Sequence, residues 1–236
     1  RHLAAASERG VGGTPSGHSM SCFERALAGH FYAVGVGPGS ADLLTVRAVN
    51  IIRTARVIVA PRSETSSASL ALSVVRPLLD NQEIIEQVYP MARDQARTFD
   101  YWNQMAHTVA TRCEAGDSVA HLTIGDPLIY STGSYLLQCL AGQLAPERIH
   151  VVPGIAAFQA SAAILGEPLT LQDDRLMLVP ATHLEDVEQA LDGCETLVIY
   201  KIGSRLPAIA DLLTRRGLLD KARMVSYAEQ PDKEAV

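Results

Sequence analysis

The strongest constraint on the fold is a repeated order of short apolar runs, each ending near glycine or proline and each followed by a segment with helical spacing. The runs at residues 30–36 and 56–60 have the length of buried strands, and residues 69–79 have the spacing of a helix. Chains that alternate strand and helix in this way build mainly parallel sheets with crossover helices. The sequence therefore predicts an α/β fold made of two α/β lobes with mainly parallel or mixed sheets.

The predicted elements fall into two groups along the chain. Strands are predicted at residues 30–36, 56–60, 83–88, the apolar run before Gly125, 150–153, 175–180, 196–200 and 223–227. Helices are predicted from residue 42 onward and at residues 69–79, 94–115, 131–142, 155–165, 185–191 and 209–216. Residues 143–148 are predicted to divide an N-terminal lobe at 30–145 from a C-terminal lobe at 146–236. Residues 1–29 are predicted to be a flexible tail or an expression remnant.

Composition and charge narrow the class of protein. Of the 236 residues, 47% are hydrophobic and 19% are charged, which is typical of a globular protein with a sizeable core. The formal net charge of −6 argues against a nucleic-acid partner. Four cysteines lie far apart without a C-x-x-C pair, and no apolar run is long enough to span a bilayer. We therefore expect a cytoplasmic protein with no membrane partner and no metal site.

A Gly-Asp-Pro turn lies between an apolar run and a predicted helix. Ligands of open α/β sheets bind beyond the carboxyl ends of the strands, so this position favours a binding loop. Gly125 allows close approach of the backbone, Asp126 offers acceptor oxygens, and Pro127 fixes φ. Because the same residue types also form ordinary turns, the turn alone leaves both interpretations open.

A second glycine loop, Gly35-Val36-Gly37-Pro38-Gly39, follows the first predicted strand. A strand, a G-x-G loop and a helix together suggest a dinucleotide fold. The third glycine falls too early for that motif, however, and Pro38 removes an amide where phosphates need donors. Arg62 at the end of the second strand suits a 2′-phosphate, so an NADP-binding reductase stays open as an alternative. A non-catalytic small-molecule binding module is a third interpretation.

Four spaced segments resemble the tetrapyrrole (corrin/porphyrin) methylase family. They are GVGPGSADLLTVRA from Gly35, TIGDPLIYSTGSYL from Thr123, VVPGIAAFQASAA from Val151 and LVIYKIG from Leu197. The resemblance covers roughly 200 residues in the family's order. It implies two α/β lobes with a cleft between them for S-adenosylmethionine, and it implies homodimers. Relatives usually continue for one or two strands beyond the end of this chain, so we expect the C-terminal lobe to lack its last strands.

The resemblance also implies a set of site residues. The expected cofactor-binding residues are Pro38, Ile124, Gly125, Asp126, Ile129, Ala156, Ala157, Lys201 and Ala228. The expected substrate-binding residues are Gly37, Gly39, Arg62 and Met91. Tyr130 is the expected catalytic residue, which would orient a ring nitrogen of the substrate or accept a proton through water.

Within the family, three stretches most resemble the members that methylate precorrin-2 at C20. These stretches are APRS from Ala60, Tyr89-Pro90-Met91 and the STGSYL continuation. The implied partner is therefore precorrin-2 or cobalt-precorrin-2, and methylation at another ring position stays open. Such a substrate carries many carboxylates, so cations are expected at the cleft, with Arg47, Arg93 and Arg205 as candidates beside Arg62.

The histidines are expected to play no direct part. His121 lies in the middle of a predicted strand and is expected to be a core residue with hydrogen-bond partners. His107 and His183 are expected on the surface.

Overall fold

The structure is a computed structural model that describes residues 24–64, 66–89 and 95–230, with the backbone alone at residues 63 and 95–98. The strands are β1 Phe31–Gly35, β2 Val57–Ser63, β3 Glu83–Tyr89, β4 Val119–Thr123, β5 Ile149–Val152, β6 Leu176–Pro180 and β7 Thr196–Tyr200. The helices are α1 Val46–Thr54, α2 Leu70–Val75, α3 Gln95–Glu114, α4 Gly133–Leu140, α5 Ala157–Leu165, α6 Leu184–Ala190 and α7 Leu206–Arg215. Among the described residues, no helix has both the length and the apolar character needed to cross a bilayer.

Two parallel sheets organise the described chain, which confirms the α/β prediction. The larger sheet has five strands in the order β3-β2-β4-β1-β5, and every pairing in it is parallel. The smaller sheet pairs β6 with β7, also in parallel. Because β4, β1 and β5 are neighbours, the loops that leave their carboxyl ends emerge side by side at one edge of the larger sheet.

Helices cover both faces of the larger sheet. The first two helices lie on one face, and the next two lie on the other. Helices α1 and α2 pack on one face through Ile51, Ile52, Leu72 and Val75. Helices α3 and α4 pack on the other face through Trp102, Val109, Leu136 and Leu140. Parallel strands covered on both faces are apolar on both sides, which explains why β1 and β4 are buried along their whole length.

Side-chain caps fix the helices that follow two of these strands. The Thr45 hydroxyl accepts a hydrogen bond from the Ala48 amide at 3.1 Å, which caps the first turn of α1. The Ser69 hydroxyl caps α2 in the same way and donates to the Pro61 carbonyl at 2.8 Å. The bond to Pro61 ties the start of α2 to β2.

Two larger features differ from the sequence-based expectations. The predicted division at residues 145/146 falls before β5, but β5 pairs with β1, so the five-stranded sheet continues to Val152. A strand was expected at residues 223–227, where the structure has no strand; Met224 and Tyr227 lie exposed there and form no ladder with β6 or β7.

The last residues of the predicted tail belong to the packed part of the chain. Residues 24–29 pack against the larger sheet, because the Ala26 amide donates to Thr54 Oγ1 and the Leu27 amide donates to the Tyr32 hydroxyl. Residues 1–23 lie outside the described chain.

Candidate functional site

Three loops meet at the carboxyl edge of the larger sheet. The first follows β1 and contains Gly37 to Gly39, the second follows β4 and contains Ile124 to Tyr130, and the third follows β5 and contains Pro153 to Ala156. The Gly125 amide donates to the Gly37 carbonyl at 2.7 Å, which joins the first loop to the second. The structure therefore brings together the two glycine loops that were predicted separately.

The three loops approach closely because glycine, which has no side chain, occupies each point of contact. A Cβ atom placed on Gly35 would lie 2.6 Å from the Gly125 carbonyl oxygen and 2.6 Å from the Gly154 nitrogen. Gly125 itself has φ +73°, a conformation that favours glycine. The three glycines form a packed backbone junction, named here the glycine junction, at the base of the three loops.

Small side chains continue this arrangement into the third loop. The point where a Gly125 Cβ would stand lies 3.9 Å from the Ala156 Cα and 4.0 Å from the Ala157 nitrogen. Ala156 is buried and Ala157 is half-buried. The surface above the glycine junction is therefore built of backbone and methyl groups, which allows a ligand to reach backbone donors and acceptors.

Asp126 fixes the second loop from within. Its Oδ1 accepts a hydrogen bond from the Leu128 amide at 2.8 Å, and its Oδ2 accepts one from the Gly154 amide at 3.1 Å. Both carboxylate oxygens are therefore occupied by backbone donors, one in its own loop and one in the third loop. This use of Asp126 is structural, and its expected contact with a ligand stays a prediction.

Tyr130 ends the second loop and contacts the smaller sheet. Its hydroxyl donates to the Leu178 carbonyl of β6 at 2.9 Å, and its ring lies 5.0 Å from the Tyr200 ring of β7. Burial raises the pKa of Tyr130. The hydroxyl is thus engaged as a hydrogen-bond donor in this structure, and the catalytic role expected of Tyr130 stays a prediction.

The other predicted cofactor-binding residues lie on the same loops or face them. Pro38 is buried, while Ile124 and Ile129 are half-buried, with Ile124 packed against the core. Lys201 follows β7 and is exposed, with its ammonium 5.9 Å from the centre of the Tyr130 ring. Ala228 is 9% exposed and lies beside Glu229.

Gly39 in the first loop packs closely against residues 229–230. A Cβ atom at Gly39 would lie 2.8 Å from the Glu229 carbonyl oxygen and 2.9 Å from the Gln230 Cγ. The missing side chain of Gly39 leaves room for residues 229–230, and its expected contact with substrate stays a prediction. Gly37, also expected to bind substrate, is buried and uses its carbonyl to join the second loop.

Arg62 is the one remaining predicted substrate-binding residue that the structure describes. Arg62 lies at the carboxyl end of β2, where it donates to the Ser66 carbonyl and lies 3.7 Å from a Glu86 carboxylate oxygen. Met91 and the cation candidate Arg93 lie outside the described residues. Arg47 pairs with Glu24 at 2.9 Å, so of the four cation candidates only Arg205 is described without an ion-pair partner.

His121 is a core residue, but without the partners expected for it. It is fully buried in β4, and neither ring nitrogen has a hydrogen-bond partner in the described chain. Burial lowers the pKa of His121 to about 4, so the ring is neutral at neutral pH. His107 and His183 are exposed, as predicted.

Some contributors to the site were missed from the sequence alone. Leu178 acts through its backbone carbonyl, and no side-chain type signals such a role. Tyr200 was assigned only to a strand, although an aromatic residue directly before Lys201 at a strand end is a usable signal. Among the described residues, no group of three or more metal-ligating side chains is arranged to hold a metal ion.

Comparisons with known proteins agree on the family. The family model of the Tetrapyrrole (Corrin/Porphyrin) Methylases matches residues 30–236. The chain is 36% identical over 210 residues to the cobalt-precorrin-2 C(20)-methyltransferase of Salmonella typhimurium, which covers 88% of this chain and 87% of that protein. It is 33% identical to the precorrin-2 C(20)-methyltransferase of a Sinorhizobium species, over 88% of this chain and 91% of that protein.

Solved structures agree on the fold. The X-ray structure of a cobalt precorrin-4 methyltransferase matches with a TM-score of 0.63 at 21% identity, over 87% of this chain and 83% of that one. The uroporphyrin-III C-methyltransferase of Thermus thermophilus, solved with S-adenosylhomocysteine, matches with a TM-score of 0.58 at 24% identity, over 87% and 85% of the two chains.

Proposed function

The chain belongs to the tetrapyrrole (corrin/porphyrin) methylases, and on this premise we propose that it transfers a methyl group from S-adenosylmethionine to C20 of precorrin-2 or cobalt-precorrin-2 in cobalamin biosynthesis. The observation that carries the proposal is the glycine junction at the edge of the larger sheet where ligands of α/β folds bind. Relatives named for C20 methylation at 33% and 36% identity favour this ring position over others and over a reductase.

The residues at the three loops fit S-adenosylmethionine. A bent nucleoside and amino-acid ligand needs backbone donors and acceptors beside a surface without bulky side chains, and Gly125, Ala156 and Ala157 supply such a surface. Pro38, Ile124 and Ile129 would line the same pocket from the first two loops. Lys201 and Ala228 would approach from the smaller sheet and the segment after α7. When bound, the ligand supplies an electrophilic methyl group on a sulfonium ion.

The contribution of the protein to the reaction is mainly placement. Attack by a carbon on a methyl group needs the nucleophile, the methyl carbon and the sulfur close to one line, and holding reactants at about 3 to 3.5 Å supplies a large part of the barrier lowering. The loops are suited to this task because hydrogen bonds from Gly125 and Gly154 fix their spacing. A proton must leave C20 after attack, and we place it on water, because the Tyr130 hydroxyl already donates its hydrogen to the Leu178 carbonyl.

Carboxylates of the tetrapyrrole would meet cations near the cleft. Arg205 and Lys201 lie in the segment that follows β7, at the carboxyl edge of the smaller sheet. Neither has an ion-pair partner among the described residues, so both are available to anions. Arg62 keeps further guanidinium donors beyond those used on Ser66 and Glu86. Met91, outside the described residues, remains a proposed substrate contact, as do Gly37 and Gly39 through their backbone.

Two further expectations stay proposals. A homodimer is implied by the family resemblance, and a cytoplasmic location is consistent with cysteines at positions 113, 139 and 194 that are all free thiols. Size-exclusion chromatography with light scattering tests the first of these directly.

Calorimetry and product analysis test the proposed function. Wild-type protein is expected to bind S-adenosylhomocysteine and not NADP. With S-adenosylmethionine it should add one methyl group to precorrin-2 or to cobalt-precorrin-2, detected by mass spectrometry, and a labelled methyl carbon should appear at C20. Binding of NADP alone would revive the reductase alternative, while methylation at another carbon would keep the family and reject the C20 assignment.

A further inference from the structure

Tyr130 has an unusual backbone conformation at the point where the second loop leaves the site. Its φ is +49°, in the left-handed region that side chains other than glycine rarely adopt. A bulky residue in this region is strained and keeps the conformation only where its surroundings hold it there. The contacts of the Tyr130 side chain therefore determine whether this conformation persists.

Those contacts all reach the smaller sheet. The hydroxyl donates to the Leu178 carbonyl at 2.9 Å across 48 residues of sequence. The ring packs against Tyr200 at 5.0 Å with a tilt of 48°. One hydrogen bond to β6 and one ring contact to β7 thus tie the end of the second loop to both strands of the smaller sheet.

Lys201, which follows β7, also has a left-handed backbone conformation and contacts the Tyr130 ring. It follows Tyr200 directly, has φ +59° and holds its ammonium 5.9 Å from the centre of the Tyr130 ring. A cation at this distance from an aromatic face is attracted to it. Two residues in rare backbone conformations therefore face each other across the gap between the sheets.

The second loop is consequently held at both ends. Asp126 joins its start to the third loop through Gly154, and Tyr130 joins its end to the smaller sheet. The intervening residues include Ile129, which is proposed to line the cofactor pocket. Movement at Tyr130 would shift this wall of the pocket relative to the smaller sheet.

We propose that Tyr130 is a positioning residue that latches the loop of residues 125–130 to the smaller sheet, and that this latch, not proton transfer, is its contribution to methyl transfer. The inference rests on the proposed function for its catalytic consequence. The latch itself is a property of the ligand-free protein and is testable without substrate.

Two variants separate the parts of the latch. Tyr130→Phe removes the hydrogen bond and keeps the ring, while Tyr130→Ala removes both. Tyr135→Phe is a matched control. Tyr135 lies on α4 with 53% exposure, and its ring stacks with that of Trp102 on α3, not with the smaller sheet. Each variant is compared with wild type by hydrogen exchange of residues 125–130 without ligand and by calorimetry with S-adenosylhomocysteine.

The latch predicts graded effects. In Tyr130→Phe the amides of residues 125–130 should exchange about three- to tenfold faster, and the Kd for S-adenosylhomocysteine should rise by about the same factor, as expected for loss of one hydrogen bond. Tyr130→Ala should exceed tenfold in both measurements, and Tyr135→Phe should change neither. KM for S-adenosylmethionine should rise in Tyr130→Phe, while kcat and the shape of its pH profile are retained.

Other results would overturn the latch. A Tyr130→Phe variant with unchanged exchange and unchanged affinity but a large loss of kcat, or a lost limb in the pH profile, would make the phenol a catalytic group. Unchanged exchange in both Tyr130 variants would remove the latch altogether. If wild type fails to bind S-adenosylhomocysteine, the proposed function fails, whereas the exchange measurement still decides the latch.

Discussion

The carboxylate of Asp126 accepts a hydrogen bond from the amide of Gly154 at 3.1 Å, and so joins two loops that are 28 residues apart in sequence. The same carboxylate accepts the Leu128 amide with its other oxygen. An acidic residue in this turn thus holds two backbone segments in register before any ligand arrives. Hydrogen bonds to a charged acceptor are stronger than neutral ones, which makes this contact a sensitive point of the site.

Asp126→Asn is expected to weaken cofactor binding. The amide group can accept only one of the two backbone donors, and its NH₂ faces the other, so about 1 to 3 kcal/mol of loop stabilisation is lost. The Kd for S-adenosylhomocysteine should rise by about tenfold or more by calorimetry. Asp211→Asn, at an exposed position on α7, is the control and should leave the Kd unchanged. An unaltered Kd in Asp126→Asn would remove this carboxylate from the site.

Gly154→Ala is expected to disrupt the glycine junction. The added methyl group would lie within 3.0 Å of backbone atoms of Gly125 and Gly35, which cannot move as a side chain could. Such overpacking costs about 1 to 3 kcal/mol. Urea denaturation should show this loss together with loss of S-adenosylhomocysteine binding. In Gly142→Ala, where a Cβ atom meets nothing within 4 Å, both quantities should stay at the wild-type level.

Alanine substitutions at Gly125 and Gly217 separate the effect of backbone strain from the effect of lying at the cofactor pocket. Gly125 and Gly217 both have positive φ, at +73° and +64°, and alanine at either site carries a similar conformational cost. Only Gly125 lies at the proposed cofactor pocket. Gly125→Ala should therefore reduce both stability and S-adenosylhomocysteine affinity, and Gly217→Ala should reduce stability alone. Equal affinity in the two variants would contradict the placement of the pocket.

His121 makes stability depend on pH on the acid side. Burial lowers the pKa of His121 from 6.5 to about 4. Between these two pH values the imidazole is protonated in the unfolded chain and neutral in the folded chain, so lowering the pH favours unfolding. Folding stability present above pH 6.5 is then lost progressively, by about 3 kcal/mol in total, on going to pH 4.

His121→Leu is expected to flatten this dependence. The apolar side chain removes two buried nitrogens without partners, so stability at pH 7 should be unchanged or higher. Urea denaturation at pH 7, 6, 5 and 4 measures the effect, with the exposed His107→Leu as the control. Equal pH slopes in His121→Leu and wild type would show that His121 has a partner in solution.

Arg205 and Lys201 are expected to serve the anionic substrate. Arg205→Ala and Lys201→Ala should each raise KM for the tetrapyrrole by about three- to tenfold, and added salt should reduce the difference because such attraction is screened. Lys221→Ala, at an exposed position in the segment after α7, is the matched control. A KM that does not change in the first two variants would move the substrate carboxylates to other cations.

Much of the fold was predictable because strand and helix leave different apolar periods. β7 was predicted with the bounds it has, and α5 begins two residues later than expected, after its N-cap Ala156, which is extended. The position of β5 was not predictable in the same way. Its residues indicate a strand, but its partner β1 is more than a hundred residues earlier, and sequence period carries no information on pairing.

The site was predictable where a role depends on a side chain or on a missing one. Gly125 and Ala156 were predicted for the pocket, and the structure brings Gly125, a member of the glycine junction, next to Ala156; their contact with the cofactor stays a prediction. Tyr130 was predicted as catalytic because a phenol near a cofactor loop suggests proton transfer. Its hydrogen bond to the Leu178 carbonyl depends on the approach of the two sheets, which only the folded chain defines.

A crystal structure of the protein with S-adenosylhomocysteine would show where the cofactor binds. We expect the ligand between the Gly125-Asp126-Pro127 turn and the Pro153-Gly154-Ile155 turn, in contact with backbone atoms of Gly125 and Ala156. Ligand bound at any other place, such as the opposite edge of the larger sheet near Arg53 and Arg56, would contradict it.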